Sequence, residues 1–166
     1  MIVVLMGVSG SGKTTIGTLL AQRAGVVFAD ADDYHPIANK EKMAAGHPLN
    51  DDDRQPWLET LNHLVLGWFE AKAGGVLACS ALKAKYRATL EAGMTKGTVH
   101  FVLLDGSRDL IASRLAARQH EYMNPKLLDS QLATLETPSD ALCIVNDRTP
   151  DEVVSQILTH LSPVQD

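Results

Sequence analysis

One octapeptide constrains this chain more than any other: Gly7-Val8-Ser9-Gly10-Ser11-Gly12-Lys13-Thr14, set directly behind the apolar run Ile2 to Met6. It satisfies the phosphate-loop pattern G-x-x-x-x-G-K-[ST] at every fixed position. A loop whose backbone N–H groups turn inward onto phosphate oxygens needs glycine's tolerance of positive φ and has no room for Cβ atoms. The helix that follows adds the positive end of its dipole. Lys13 supplies a mobile charge for the outer phosphates, and the Thr14 hydroxyl can hold Mg²⁺. Gly7, Ser9, Gly10, Ser11, Gly12, Lys13, Thr14 and Thr15 are therefore the candidate set for a nucleoside triphosphate, ATP with Mg²⁺.

The rest of the chain alternates apolar runs with helical periodicity. Strands are expected at Ile2 to Met6, Val26 to Ala29, Val76 to Cys79, Val99 to Leu104 and Leu142 to Val145. Between them, helices are expected from Lys13 to Ala24 with Gly25 closing it, from Pro36 through Ala45, and beyond an Asx-rich turn at Asn50 to Asp53. That third helix carries the stripe Leu58, Leu61, Leu64, Val65, Trp68 and Phe69, and Gly74-Gly75 ends it. Further helices are expected over Leu82 to Ala92 with Ser80 as a cap, Asp109 to Gln119, Lys126 to Leu135, and from Pro150 onward. Strand–helix alternation predicts an α/β fold: one P-loop NTPase domain, with a five-stranded parallel sheet flanked by helices. Its ligands should gather at the carboxyl ends of the strands.

Composition narrows the function. With 166 residues and 45% apolar side chains, the chain suits a single domain. A net charge of −5 argues against a nucleic-acid partner. No run reaches membrane-spanning length, and the N-terminal apolar run is too short and lacks the basic flank of a secretion signal, so the cytoplasm is expected. Cys79 and Cys143 sit in apolar runs without metal spacing and read as buried thiols.

A GTP switch would require N-K-x-D after a late strand. Asn39-Lys40-Glu41-Lys42 lacks the aspartate and follows the wrong strand. Motor-type ATPases are larger, although Val26 to Asp30 and Phe101 to Asp105 could mimic their acidic strand ends. The order of features resembles the shikimate and nucleoside-monophosphate kinases instead: Asp30-Ala31-Asp32 after the second strand, a helical insertion over about 36–73, and an Arg-bearing lid over about 118–135.

Several blocks then resemble gluconokinases specifically. They are Asp30 to Pro36, Asn39 to Met43, Gly46 to Trp57 with its Asn50-Asp51-Asp52-Asp53-Arg54-Gln55-Pro56-Trp57, Cys79-Ser80-Ala81-Leu82-Lys83-Ala84-Lys85-Tyr86-Arg87, and Leu128 to Glu136. The likeness spans nearly the whole chain. Two positions near the lid depart from it: Glu121 follows His120 where phenylalanine is usual, and Leu132 stands where phenylalanine is common.

This resemblance implies transfer of the γ-phosphoryl group of ATP to the C6 hydroxyl of D-gluconate. The alternatives are a related sugar-acid or polyol kinase, or a nucleotide-binding regulator without catalysis. It also implies that Asp30 acts near Mg²⁺ through water and that Asp32 orients the attacking hydroxyl. Arg114 would stack on adenine, and Arg118 would reach the phosphates under a closed lid. Arg148 follows the last strand, where such kinases build their adenine loop. An anionic polyol needs cationic forks and mixed hydrogen-bonding groups, for which Arg54, Lys83 and Arg87 are candidates. Lys83 and Arg87, four apart, are expected on one helical face. His35 is a candidate for a substrate hydroxyl. The blander reading of Arg54 is a surface network with Asp51 to Asp53, and of Asp33 a helix cap. The resemblance further implies a homodimer.

Overall fold

The computed structural model describes residues 1–8, 10–116, 125–137 and 141–161. Five strands, β1 (Ile2–Met6), β2 (Val27–Asp30), β3 (Gly75–Ala78), β4 (Val99–Asp105) and β5 (Leu142–Val145), form one sheet in the order β2-β3-β1-β4-β5. Every pairing is parallel, with Val4 opposite Leu77 on one side and Phe101 on the other. The expected α/β architecture is therefore the observed one.

β1 lies at the centre, and all five of its residues are buried. Successive side chains point to opposite faces of a strand. Ile2, Val4 and Met6 accordingly join one core and Val3 and Leu5 the other. The second core is closed by α1 (Lys13–Ala24) through Ile16 and Leu20, and by α7 (Pro150–Leu161) through Val153, Val154 and Ile157. The first is covered by α3 (Asp51–Glu70) and α4 (Ala84–Leu90). Ile111 of α5 (Arg108–Ala116) and Leu128 of α6 (Pro125–Thr134) also join it. A short α2 (Ile37–Ala44) precedes α3.

Several details differ from expectation. β2 and β5 are edge strands, so Val27 and Val145 remain exposed, and so does the Cys143 thiol that was expected to be buried. Cys79 is buried as expected, and burial pushes its thiol up to about 12, which keeps it unreactive. Helix α3 begins at Asp51 and runs through Pro56. A capping box starts it: the Asn50 side chain accepts from the Asp53 N–H while the Asp53 carboxylate accepts from the Asn50 N–H. Phe69, placed on its apolar stripe by spacing, is 39% exposed because it lies in the last turn. Gly75 belongs to β3, and the Trp68 ring packs so closely that a Cβ there would collide with it. Ser80 caps nothing: α4 starts later, with Lys83 at its N-cap and no side-chain cap.

Candidate active site

Because the sheet is parallel, the carboxyl ends of β1, β2 and β3 lie along one edge, and three sequence blocks meet there. The first is the phosphate loop. Gly7, Gly10 and Gly12 all have positive φ. A Cβ on Gly12 would strike the Asn146 amide, so the loop's tight path and its contact with the β5 end require glycine. Lys13 Nζ donates to the carbonyls of Gly7 (2.8 Å) and Val8 (3.0 Å), which arches the lysine back across the loop. Ser11 is buried, and its hydroxyl has no hydrogen-bond partner among the described residues. Thr15 is exposed in the first turn of α1, and Ser9 lies outside the described residues.

From the far side, Asn146 donates its amide to the Ser11 carbonyl (2.7 Å) and is itself 5% exposed. The Arg114 guanidinium joins the same junction, donating to the Asn146 carbonyl (2.7 Å) and the Ser11 carbonyl (3.5 Å). Arg114 thus stands beside the loop, on the β5 side. Arg148 is exposed just beyond β5, and Arg118 lies outside the described residues, as does the rest of the expected lid up to residue 124. Asn146 was not among the sequence candidates. Its signal was its place in the block Asn146-Asp147-Arg148 after the last strand, where only the cation drew notice.

The second block is the acidic turn. Asp30 ends β2 and caps a 3₁₀ turn over Ala31–Tyr34, its Oδ1 accepting from the Asp32 N–H at 3.0 Å. Its other oxygen accepts from the Thr14 hydroxyl at 3.0 Å, which ties this turn to the phosphate loop. Asp32 is exposed toward solvent, with one carboxylate oxygen 3.9 Å from His35 Nε2. His35 itself is buried and stacked on Trp57, with centroids 4.0 Å apart and planes at 15°. Burial, then Arg54 and Lys40, push its pKa down to about 4 against a weaker pull from Asp30, so the ring is neutral. Asp33 is exposed and caps no helix: Asp30 caps the 3₁₀ turn, and α2 starts after Pro36 without a side-chain cap.

The third block is a cationic cluster built between α3 and α4. Asp51 accepts hydrogen bonds from Lys83 (3.2 Å), Lys85 and Tyr86, and those bonds, Lys85 first, hold its carboxyl far below the usual range. Arg54 donates to the Tyr86 hydroxyl at 3.0 Å with its guanidinium carbon 5.3 Å from the ring centroid. Asp53 is occupied elsewhere, with Lys42 at 2.7 Å. Tyr86 therefore links Arg54 to Asp51, which also holds the two lysines, so Arg54 meets the acidic cluster through the tyrosine and not directly.

The expectation that Lys83 and Arg87 share a helical face does not hold. Lys83 is the residue before α4 and turns to Asp51, whereas Arg87 is buried within the helix and donates to the Ala81 carbonyl at 2.9 Å. Ala81 has a positive φ of 43°, and the neighbouring Leu82 carbonyl accepts from the Glu136 N–H. Arg87 thus clamps a strained turn. Asp51 and Tyr86 complete the cluster. The sequence held both inside the distinctive blocks, but an acidic residue and a tyrosine gave no reason to be chosen for an anion site.

A phosphate loop on the first βα turn of a parallel sheet, faced by a carboxylate turn and a cationic cluster, defines a P-loop small-molecule kinase. The shikimate kinase family model matches residues 9–162. Among individual proteins, a probable gluconokinase from Dictyostelium discoideum is 43% identical, over 97% of this chain and 86% of that one. A gluconokinase from Gluconobacter oxydans is 43% identical, over 95% of this chain and 89% of its own. The crystal structure of a gluconokinase from Sinorhizobium meliloti superposes with a TM-score of 0.84 at 37% identity, covering 95% of this chain and 89% of that one. The chain belongs to the gluconokinase family, within the shikimate-kinase-like P-loop kinases.

Proposed function

We propose that the protein transfers the γ-phosphoryl group of ATP to the C6 hydroxyl of D-gluconate, giving 6-phospho-D-gluconate and ADP. The observation that carries this reading is the meeting, at one sheet edge, of a phosphate loop, the exposed carboxylate of Asp32, and the Arg54–Tyr86–Lys83 cluster. Phosphoryl transfer asks a protein mainly to position the partners and offset charge.

In this reading the loop amides from Gly7 to Thr15, with Lys13, hold the triphosphate, and Lys13 exchanges its carbonyl partners for phosphate oxygens. Arg114 and Arg148 flank the adenine side, and Arg118 offsets phosphate charge from the lid over about 118–135. Asp32 accepts the hydroxyl proton as the acceptor oxygen bonds to phosphorus. The 36–73 insertion, which comprises α2 and α3, carries Arg54. Arg54 and Lys83 take the gluconate carboxylate, while Arg87 keeps the Ala81 turn in shape behind them. His35 stands beside Asp32 at the hydroxyl end.

The donor set near the loop fits Mg²⁺. Thr14 and Asp30 bring a hydroxyl and a carboxylate within 3.0 Å of each other, and both are hard oxygen ligands. Among the described residues no cluster of three or more His, Cys, Asp or Glu could cage a metal, which suits an ion held largely by phosphates and water. Thr14, and Asp30 through water, would hold it, and it would supply neutralising charge at the phosphates. The reading also takes the protein as a cytoplasmic homodimer. No helix among the described residues is long and apolar enough to cross a membrane, and sedimentation of the purified chain reads the stoichiometry.

A coupled ADP-release assay with ATP and a panel of aldonates, aldoses and polyols tests the assignment. Gluconate is expected to be turned over with the highest kcat/KM. Turnover of another sugar acid without turnover of gluconate would overturn it.

A further inference from the structure

His35 is held on every side. Its ring lies on the Trp57 indole, and Trp57 Nε1 donates to the Ala31 carbonyl at 2.7 Å, so one indole grips both ends of the 3₁₀ turn. The Asn39 amide nitrogen donates to the Asp53 carbonyl at 2.8 Å, and the same nitrogen faces His35 Nδ1 at 3.3 Å. A backbone carbonyl can only accept, so it is the NH₂ side of Asn39 that faces both partners. Nδ1 must then offer its lone pair, and the ring proton resides on Nε2. Nε2 is the nitrogen that faces Asp32 Oδ1.

We propose that His35 is a positioning residue for Asp32: its Nε2–H, set by Asn39 and Trp57, anchors Oδ1 and thereby presents Oδ2 to the acceptor hydroxyl. The proposal rests on the reading of Asp32 as the acceptor-orienting carboxylate. The separation of 3.9 Å exceeds a hydrogen bond by about 1 Å. The Asp32 side chain is 54% exposed, and contacts of this kind commonly tighten when substrate binds. A neutral donor suits the task. It aligns a carboxylate by a directional hydrogen bond without forming an ion pair. The charged groups facing the ring are Arg54, Lys40, Asp30 and Asp32; burial and the two cations, outweighing the opposing pull of Asp30, keep the proton count at one.

Long-range ¹⁵N–¹H correlation spectra of the full chain test the geometry without any assumption about substrate. A neutral Nε2–H tautomer is expected for His35 from about pH 5.5 to 8. An Nδ1–H tautomer or a charged ring in that range would overturn the proposal. Kinetics test the role. With His35→Leu, kcat should fall about 10-fold or more, while KM for ATP and gluconate stays within about 2-fold. His35→Gln, which restores an N–H donor, should recover most of that loss. Equal impairment of both variants, or a change confined to KM, counts against it. Adding His35→Leu to Asp32→Asn should cost nothing further, because one residue acts through the other. An additive loss would show His35 acting independently. Near-normal turnover by Asp32→Asn alone would instead remove the underlying reading of Asp32, a different failure.

Discussion

Asp32 and Arg54 carry different proposed roles, one at the acceptor hydroxyl and one at the carboxylate, so their variants should fail in different ways. Asp32→Asn keeps the shape of the turn, whose cap is the Asp30 side chain, but loses the basic oxygen. We expect kcat to fall by about 10²–10⁴, the usual worth of a positioned base. Nucleotide affinity, read by equilibrium titration, should be retained. Arg54→Ala removes a guanidinium that sits on Tyr86 while Lys83 keeps its place on Asp51. A charge-assisted hydrogen bond is worth about 1.5–3 kcal/mol, so KM for gluconate should rise about 10- to 100-fold with KM for ATP nearly unchanged. An effect on ATP alone would move Arg54 to the nucleotide side. These residues were readable from sequence because the motifs that hold them are contiguous. Asn146 was not, since its contact with Ser11 spans 135 positions and no local pattern announces it.

At the scale of elements, apolar runs and helical spacing marked every strand and helix of the described chain, and the errors fell at ends. α3 was legible as a helix with an Asx cap, but its first turns carry Pro56 and three aspartates and so show no apolar stripe. α4 is shorter than its spacing suggests at both ends: Lys83 is its N-cap and Glu91 its C-cap, and neither position is marked by a capping side chain in the sequence. Sheet order was beyond reach: nothing local says that β2 and β5 are edges, where Val27, Val145 and Cys143 are exposed. Gly75 shows the same limit. Beside Gly74 it reads as a helix stop, yet in the fold it is the floor on which Trp68 rests. Gly75→Ala should therefore overpack the α3–β3 contact and cost about 1–3 kcal/mol, read from the urea midpoint. An unchanged midpoint would mean that Trp68 has room to withdraw.

For the whole molecule, acid stability should divide into two pH ranges with separate causes. In the unfolded chain the His35 imidazole takes a proton near 6.5, whereas the folded protein resists until about 4. Between those values the unfolded state holds more protons, so stability is complete above 6.5 and declines as pH falls toward 4. The whole span is worth about 3.5 kcal/mol at most. Asp51 and Asp53 act lower down. Lys85, Tyr86 and Lys83 depress the first, Lys42 and the Asn50 N–H the second, so their contributions are present above the unfolded value of 3.8 and are lost as pH drops below it. Urea midpoints measured across pH should show a first decline between 6.5 and 4 and a second below 3.8. His35→Gln should flatten only the upper one, since glutamine has no proton to take up. The upper range matters for function as well as folding, because a charged His35 would sit against Arg54 and Lys40 and strain the turn that carries Asp32. A wild-type curve that is flat from 6.5 to 4 would mean the imidazole is not buried in its neutral form, and the proposed anchor for Asp32 would fall with it.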